Sequence, residues 1–138
     1  MAIDVLDRQR RVRIDERPIK HLANRVVREV GLPNSSLAIV FVRDRAIRKL
    51  NSTYRGRNTA TDVLSFEGGV EPGHLGDVVI SIDRALKQAT EAGLALEREI
   101  SELVIHGILH LCGYDHETDD GEMNRVELNL RRKLLEEG

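Results

Sequence analysis

Eleven residues near the carboxyl end, HGILHLCGYDH from His106 to His116, constrain the fold of this chain more than any other stretch. His106 and His110 lie four residues apart in an apolar, helical pattern, so their side chains stack one turn apart on one face. Gly113 readily takes the positive φ angle that ends a helix. The chain can then reverse and bring His116 back toward the first two histidines. The stretch therefore predicts a helix, a sharp stop and a turn that folds back.

The three imidazoles of His106, His110 and His116 predict a single bound metal ion. Histidines at this spacing can reach one ion at about 2.0–2.1 Å, and three protein ligands leave a fourth tetrahedral position for water, as in catalytic sites. Three of the five histidines fall within these eleven residues, which favours a metal site over buried structural histidines. Zinc is the expected ion because imidazole suits it, although nickel, copper and iron also accept imidazole.

The same spacing matches a zinc-protease pattern, H-E-x-x-H-x-x-G-x-x-H, with one difference. Gly107 stands where that pattern has the glutamate that serves as general base in peptide hydrolysis. The predicted metal geometry is kept and the protease base is lost. Asp115 has three equal interpretations: a hydrogen-bond partner that orients a ligand imidazole, a base, or a turn residue. Cys112 points away from the predicted ion and is expected to be a small buried apolar residue.

Composition and charge exclude several classes of protein. One cysteine permits neither an internal disulfide nor a cysteine metal cage. No apolar run approaches the roughly 20 residues that span a bilayer. The amino-terminal residues also lack a signal-peptide pattern. We therefore expect a cytoplasmic protein with no membrane partner. Aromatic residues make up only 3% of the chain and tryptophan is absent, which argues against base-stacking platforms.

Basic residues are concentrated in one segment, although the net charge of the chain is −2. Against one acid, Asp44, the segment carries Arg43, Arg45, Arg48, Lys49, Arg55 and Arg57. Arg55 precedes Gly56, where the backbone turns, so its guanidinium is predicted to project into a cleft and bind phosphate. Arg43 and Arg57 are predicted to guide the same polyanion. The alternative is a solvated surface, with Arg55 favoured by the helix dipole.

Apolar periodicity predicts one domain over residues 1–138, because no linker divides the chain. Helices are predicted over residues 16–30, 44–53, 84–92, 96–112 and 120–136, and strands over residues 37–42, 62–66 and 75–82, with an opening strand or strand pair over residues 3–14. Asp44 and Asp83 are predicted to cap the helices that follow them. The pattern indicates an α+β or mixed α/β class with one sheet covered by helices.

Three motifs stand out in the chain: NxxYRGxxxxTDVLSF from Asn51 to Phe66, LGDVVIS from Leu75 to Ser81, and the histidine stretch. Together they resemble the YbeY family of bacterial ribosomal-RNA maturation factors. The resemblance covers the chain from about Leu37 to the final helix. It implies an α+β domain with a mainly parallel, four-stranded sheet. It also implies zinc on the three histidines and Arg55 in the active-site cleft. The residues at positions 58–60 replace an acidic-x-proline sequence that is common in the family.

The resemblance further implies a single-strand-specific endoribonuclease that acts in 3′-end maturation of 16S ribosomal RNA and in ribosome quality control. Expected partners are ribosomal RNA, the small ribosomal subunit and associated assembly factors. Arg55 and His110 are the predicted catalytic residues. Whether water or the RNA 2′-hydroxyl attacks stays open, because no side chain stands out as the base. The alternatives are a metallopeptidase-like hydrolase, a phosphoesterase for small substrates, and a non-catalytic assembly factor with a structural metal.

Overall fold

A computed structural model describes residues 3–69, 72–115 and 119–136 of the chain. The strands are β1 (Ile3–Asp7), β2 (Ser36–Val42), β3 (Val63–Glu67) and β4 (His74–Ser81), and the helices are α1 (Glu16–Glu29), α2 (Asp44–Arg55), α3 (Ile82–Ala92), α4 (Leu96–Leu111) and α5 (Glu122–Arg131). The last helix continues in a wider π-helical turn over Arg132–Glu136. Every helix and strand predicted from periodicity is therefore present.

The four strands form one sheet in the order β1-β2-β4-β3. Strands β1, β2 and β4 run parallel, and β3 pairs antiparallel with β4 at the edge. Parallel neighbours need a crossover connection, which α1 supplies between β1 and β2. The predicted α+β fold with a mainly parallel, four-stranded sheet is confirmed.

The two faces of the sheet carry cores of different size. Side chains alternate along β4, so Val78 and Ile80 enter a large core with α1 and α4, whereas Val79 faces a small core with Ile47 of α2. Helices α2 and α4 thus cover opposite faces of the sheet. Both reach edge strand β3, where Arg55 of α2 and Gly107 of α4 each contact Ser65. This edge strand therefore connects the last turn of α2 to the helix that carries His106 and His110.

Helix α4 is the longest helix and carries the first two histidines of the motif. Its sixteen residues bury most of their apolar side chains, including Val104 and Ile108, against the sheet and neighbouring helices. At 1.5 Å per residue such a helix is about 24 Å long, shorter than the roughly 30 Å hydrocarbon core of a bilayer. No helix in the described part of the chain has the length and apolar character to cross a membrane.

The opening strand is shorter than predicted, because it ends at Asp7 rather than continuing to residue 14. The buried Gln9 side chain interrupts it by bonding to nearby backbone. Its carbonyl oxygen accepts from the backbone N–H groups of Arg11 and Val12, and its amide donates to the Val12 carbonyl. Hydrogen bonds from a side chain to nearby backbone groups take the place of the hydrogen bonds between strands.

Both predicted caps are wrong, since Asp44 does not cap α2 and Asp83 does not cap α3. The residue that caps α3 is Ser81, whose hydroxyl accepts from the backbone N–H of Arg84. Asp83 lies in the first turn of α3 and accepts from the backbone N–H of Asp44 at 2.7 Å. Helix α3 therefore supplies, through Asp83, the hydrogen-bond acceptor for the N–H group at the start of α2. The carboxylate of Asp44 in turn accepts from the Ser81 hydroxyl at 2.6 Å.

Candidate active site

Helix α4 lies so close to the sheet at Gly107 that no side chain fits there. A Cβ added at this position would lie 2.5 Å from Cγ1 of Val78. The Ser65 hydroxyl, on β3, donates to the Gly107 carbonyl at 2.9 Å and holds the helix against the edge strand. Packing thus excludes the glutamate of the protease pattern from this position. The same close contact sets the position of His106, its neighbour on the helix.

His106 and His110 bring their imidazoles together on one side of α4. Their Nε2 atoms lie 3.1 Å apart, and the ring planes meet at 78°. Nitrogens bound to one tetrahedral zinc ion at about 2.0–2.1 Å lie roughly 3.3–3.4 Å from each other. The separation of the two Nε2 atoms is close to that value. The geometry of this pair fits two ligands of one ion.

The other ring nitrogens of the pair have oxygen partners that orient both rings. His106 Nδ1 donates to a carboxylate oxygen of Glu127 at 2.8 Å, and His110 Nδ1 donates to the backbone carbonyl of Tyr114 at 3.0 Å. Because a carbonyl only accepts, the proton of neutral His110 is on Nδ1 and the electron pair of its Nε2 faces His106. Carboxylates and carbonyls orient metal-bound histidines in this way.

Glu127 was missed by the sequence reasoning, although it occupies a core position of the last helix. It follows Met123 by four residues and precedes Leu130 by three, and all three side chains are buried. Burial raises the pKa of Glu127, but the hydrogen bond from His106 and the charge and hydrogen bond of Arg131 outweigh this and lower it overall. Arg131 binds the second carboxylate oxygen of Glu127. The signal in the sequence that could have indicated Glu127 is its position as a charged residue on the apolar face of the last helix.

The turn after α4 follows the predicted course as far as the structure describes it. Gly113 has a φ of 94°, and its N–H donates to the carbonyl of His110 while that of Tyr114 donates to Leu109. This is the expected helix stop. His116, the third predicted ligand, lies outside the described residues. Among residues 3–69, 72–115 and 119–136, no group of three histidine, cysteine, aspartate or glutamate side chains could hold a metal ion.

A cavity of about 690 Å³ opens beside the histidine pair, between the end of α2, strand β3 and the turn after α4. Its lining includes Tyr54, Arg55, Phe66, His110, Tyr114 and Asp115. The Arg55 guanidinium donates to the Ser65 carbonyl at 2.6 Å and lies 5.6 Å from the centre of the Phe66 ring. Ser65 thus binds α4 through its hydroxyl and Arg55 through its carbonyl. Strand β3 therefore fixes the arginine relative to the histidines.

A family model described as Endoribonuclease YbeY matches residues 4–136. This chain belongs to the YbeY family. Among its relatives, the Endoribonuclease YbeY of Geobacter sulfurreducens is 37% identical over 147 aligned positions, which cover 100% of this chain and 98% of the relative. The Endoribonuclease YbeY of Aquifex aeolicus is 48% identical over 131 positions, covering 93% and 85% of the two chains. The resemblance inferred from three motifs extends over nearly the whole sequence.

A solved structure has the same fold as this YbeY-family chain. The solution structure of a Thermotoga maritima protein superimposes with a TM-score of 0.70 at 28% identity. The match covers 98% of this chain and 90% of the other. The α+β architecture described above is thus shared across nearly the full length of both chains.

The remaining predicted site residues are distributed unevenly in this YbeY-family structure. Arg55, His110 and Asp115 line one cavity, and His106 lies behind His110 beside Glu127. Arg57 is exposed in the loop after α2. Arg43 lies at the other end of α2, where its guanidinium binds both carboxylate oxygens of Asp83 at 2.9 and 3.0 Å. Among the described residues that line the cavity, Arg55 is the one arginine.

Proposed function

We propose that this chain is a metal-dependent endoribonuclease that cleaves single-stranded RNA at the cavity beside His110. The observation that carries the proposal is the convergence of the His106 and His110 Nε2 atoms, 3.1 Å apart, next to a cavity lined by Arg55. The names of the relatives support cleavage of RNA, since each is an Endoribonuclease YbeY. The packing at Gly107 argues against the peptidase alternative, because it leaves no room for the base of that chemistry.

His106, His110 and His116 would hold one zinc ion in this proposal. Bound there, zinc would supply Lewis-acid chemistry, by activating water or by polarising a phosphoryl oxygen. Glu127 and the Tyr114 carbonyl hold the two described imidazoles with Nδ1 protonated, so that each presents an electron pair at Nε2. The negative charge of Glu127 also increases the basicity of His106 as a ligand.

Arg55 would bind a nonbridging phosphate oxygen of the RNA backbone. A guanidinium has five N–H donors, and the bond to the Ser65 carbonyl uses one of them. That bond and the contact with the Phe66 ring hold the side chain in one orientation before RNA binds. A preoriented cation at the position where charge develops stabilises the transition state more than a mobile one does. Arg57, in the exposed loop that follows, would extend the contact with the backbone.

The end groups of the products distinguish two routes of attack. A 2′,3′-cyclic phosphate would mean that the RNA 2′-hydroxyl attacks, whereas a linear phosphate on a 2′-deoxy substrate would mean that water attacks. Asp115 is a carboxylate on the same cavity as His110 and Arg55. The variant Asp115→Asn separates a role of Asp115 as a base from a role in the turn. Asparagine keeps a side chain that forms turns but cannot act as the base. Loss of cleavage in this variant, with zinc retained, would assign the proton acceptor.

The biological substrate in this proposal is the 3′ end of 16S ribosomal RNA, with the small ribosomal subunit and its assembly factors as partners in the cytoplasm. The family resemblance supports this assignment. In cells that depend on this chain, we expect His110→Ala to cause accumulation of 16S RNA with an unprocessed 3′ end, measured by primer-directed mapping of RNA ends. Normal 3′ ends in those cells would refute the ribosomal assignment and leave the cleavage activity to be tested separately.

The deciding experiment compares wild type, His110→Ala and Arg17→Ala for bound zinc and for cleavage of single-stranded RNA. Arg17 is the matched preparation control, because its side chain is 90% exposed on α1. We expect wild type and Arg17→Ala to carry about one zinc ion per chain and to cleave, and His110→Ala to lose both. Metal-free wild type that cleaves equally well in chelator would refute metal dependence. Equal cleavage by all three proteins would mean either that the proposed active site is wrong or that a ribonuclease contaminates the preparations. Purification over a second column distinguishes these explanations, because it removes the activity of a contaminant.

A further inference from the structure

The few aromatic residues of this chain are concentrated at one place in the fold. The sequence has two phenylalanines, two tyrosines and no tryptophan. Phe41 is fully buried in the large core, and the other three, Tyr54, Phe66 and Tyr114, all line the cavity that contains Arg55. The low aromatic content argued against a base-stacking platform, but composition does not report where the rings lie. Their placement brings three rings to one cavity beside Arg55.

Tyr54 is the most exposed of these rings and is held in position by its neighbour. The residue is 66% exposed, more than any other large hydrophobic residue described. Its ring meets the half-buried Phe66 ring edge to face, with centres 5.5 Å apart and an interplanar angle of 70°. Edge-to-face packing is a preferred arrangement of two aromatic rings. Phe66 thus fixes one side of a ring that otherwise faces solvent at the rim of the cavity.

The surroundings of Tyr54 match the chemistry of a single nucleotide. Arg55, the next residue, offers guanidinium donors for a phosphate oxygen, while Tyr54 offers an apolar face for a base. A base within a duplex is covered on both faces by its neighbours, so only an unpaired base can stack on a protein ring. An isolated exposed aromatic residue would need no explanation. A ring fixed by a second aromatic residue, beside a cationic side chain and a cavity, is a typical base-binding arrangement.

We propose that Tyr54 forms a stacking site for one unpaired nucleobase next to the phosphate held by Arg55. The inference rests on the proposed endoribonuclease function and explains why that activity would prefer single strands. Stacking is tolerant of base identity, because every base has a π-face. The site therefore selects an unpaired nucleotide rather than a sequence. Phe66 is a positioning residue in this arrangement, since it holds the tyrosine ring and contacts the Arg55 guanidinium.

The test measures binding of the full-length purified protein to short single-stranded RNA that carries one 2-aminopurine, in chelator to prevent cleavage. The variants are Tyr54→Ala, Tyr54→Phe and Leu94→Ala, the last an exposed leucine, 40% accessible, in the turn after α3. We expect Tyr54→Ala to weaken binding about 5- to 100-fold and to abolish quenching of the fluorescent base. Tyr54→Phe should restore both, because the ring is kept, and Leu94→Ala should bind like wild type.

A second measurement changes the RNA rather than the protein, so its main comparison does not depend on the folding of a variant. RNAs with an abasic nucleotide placed at successive positions should bind wild type more weakly at one position, and Tyr54→Ala should be insensitive to that change. Equal binding of intact and abasic RNAs by wild type, or wild-type binding and quenching by Tyr54→Ala, would overturn the stacking site. If Tyr54 controls binding but His110→Ala loses no activity, the endoribonuclease proposal fails and the stacking site stands. If His110→Ala loses activity but Tyr54→Ala binds RNA and quenches the fluorescent base like wild type, the endoribonuclease proposal stands and the stacking site fails.

Discussion

The two ends of helix α2 carry arginines from the same basic segment in opposite environments. Arg43, just before the helix, is bound to the carboxylate of Asp83, which also accepts from Arg11. Arg55, in the last turn, donates to a neutral backbone carbonyl and lies over an aromatic ring beside the cavity. The positive charge of Arg43 is balanced within the fold, whereas that of Arg55 faces the cavity. A run of basic residues is therefore not one binding surface.

The largest expected effect is on catalysis at the Arg55 end. In the proposed function, Arg55→Ala should lower the rate of RNA cleavage by about 10²- to 10³-fold while zinc is retained, because the proposed role of Arg55 is to stabilise charge in the transition state. Arg43→Ala should lower the rate far less, since its charge is already paired. The measurement is single-turnover cleavage with zinc content determined on the same samples. Equal losses in the two variants would mean that the basic segment acts as one surface and would break the comparison.

The second prediction concerns Glu127, the carboxylate that accepts from His106. Glu127→Gln keeps the shape of the side chain but removes its charge, and should weaken zinc binding about 10- to 100-fold. Competition with a fluorescent chelator measures the affinity directly and needs no RNA. Glu136→Gln, which breaks an exposed pair with Arg98 elsewhere, is the matched control. Unchanged affinity in Glu127→Gln would show that the contact with His106 has no role in ligand orientation.

The third prediction concerns the close contact that connects the histidine helix to the sheet. Gly107→Ala should destabilise the protein by about 1–2 kcal/mol, because the clash with Val78 exceeds the gain in helix propensity. Denaturant unfolding measures the change in free energy. Val78→Ala makes room for the added methyl group, so the double variant should lose less stability than the sum of the two single variants. Simple additivity would mean that the glycine is not required by this contact.

The smallest expected effect is at the Arg43 end and depends on pH. Burial of the Asp83 carboxylate raises its pKa, but hydrogen bonds from the Asp44 N–H, Arg43 and Arg11 outweigh this and lower the pKa from 3.8 to about 2. The ionised form is therefore favoured by folding. Its contribution to stability is fully present above about pH 4 and is lost as the pH falls through about 2.

Asp83→Asn tests this assignment. The variant should be less stable than wild type at pH 6, by up to about 1 kcal/mol, and the difference should shrink between pH 4 and pH 2. Denaturant midpoints across that range provide the measurement. Asp4→Asn, which alters an exposed aspartate on β1, controls for general charge effects. A difference that is constant with pH would show that the lost contact is not ionic.

Local patterns in the sequence were sufficient for the parts of the site that depend on one helix. The four-residue spacing of His106 and His110 predicts that their rings meet, and the Nε2 atoms lie 3.1 Å apart. The glycine that follows predicts the stop, and Gly113 has the positive φ of a helix end. These features depend on helical geometry alone, which repeats every 3.6 residues whatever the rest of the chain does.

Other parts of the site depend on contacts between segments that are far apart in the sequence. Glu127 lies 21 residues from His106, and their contact requires α5 to pack beside α4. The start of α2 uses Asp83, 39 residues away, although Asp44 was the local candidate. No periodicity encodes such pairings, because they follow from the order of the strands and the packing of helices on both faces.

The sequence by itself determined the histidine pair, the helix stop and, through three motifs, membership of the family. Only the tertiary structure decided that Arg43 is paired with Asp83 and that edge strand β3 joins Gly107 to Arg55 through the two polar groups of Ser65. It also gathered three of the four aromatic rings around that cavity. Spacing along a helix is a local property, whereas a cavity is formed by segments that meet only when the sheet assembles.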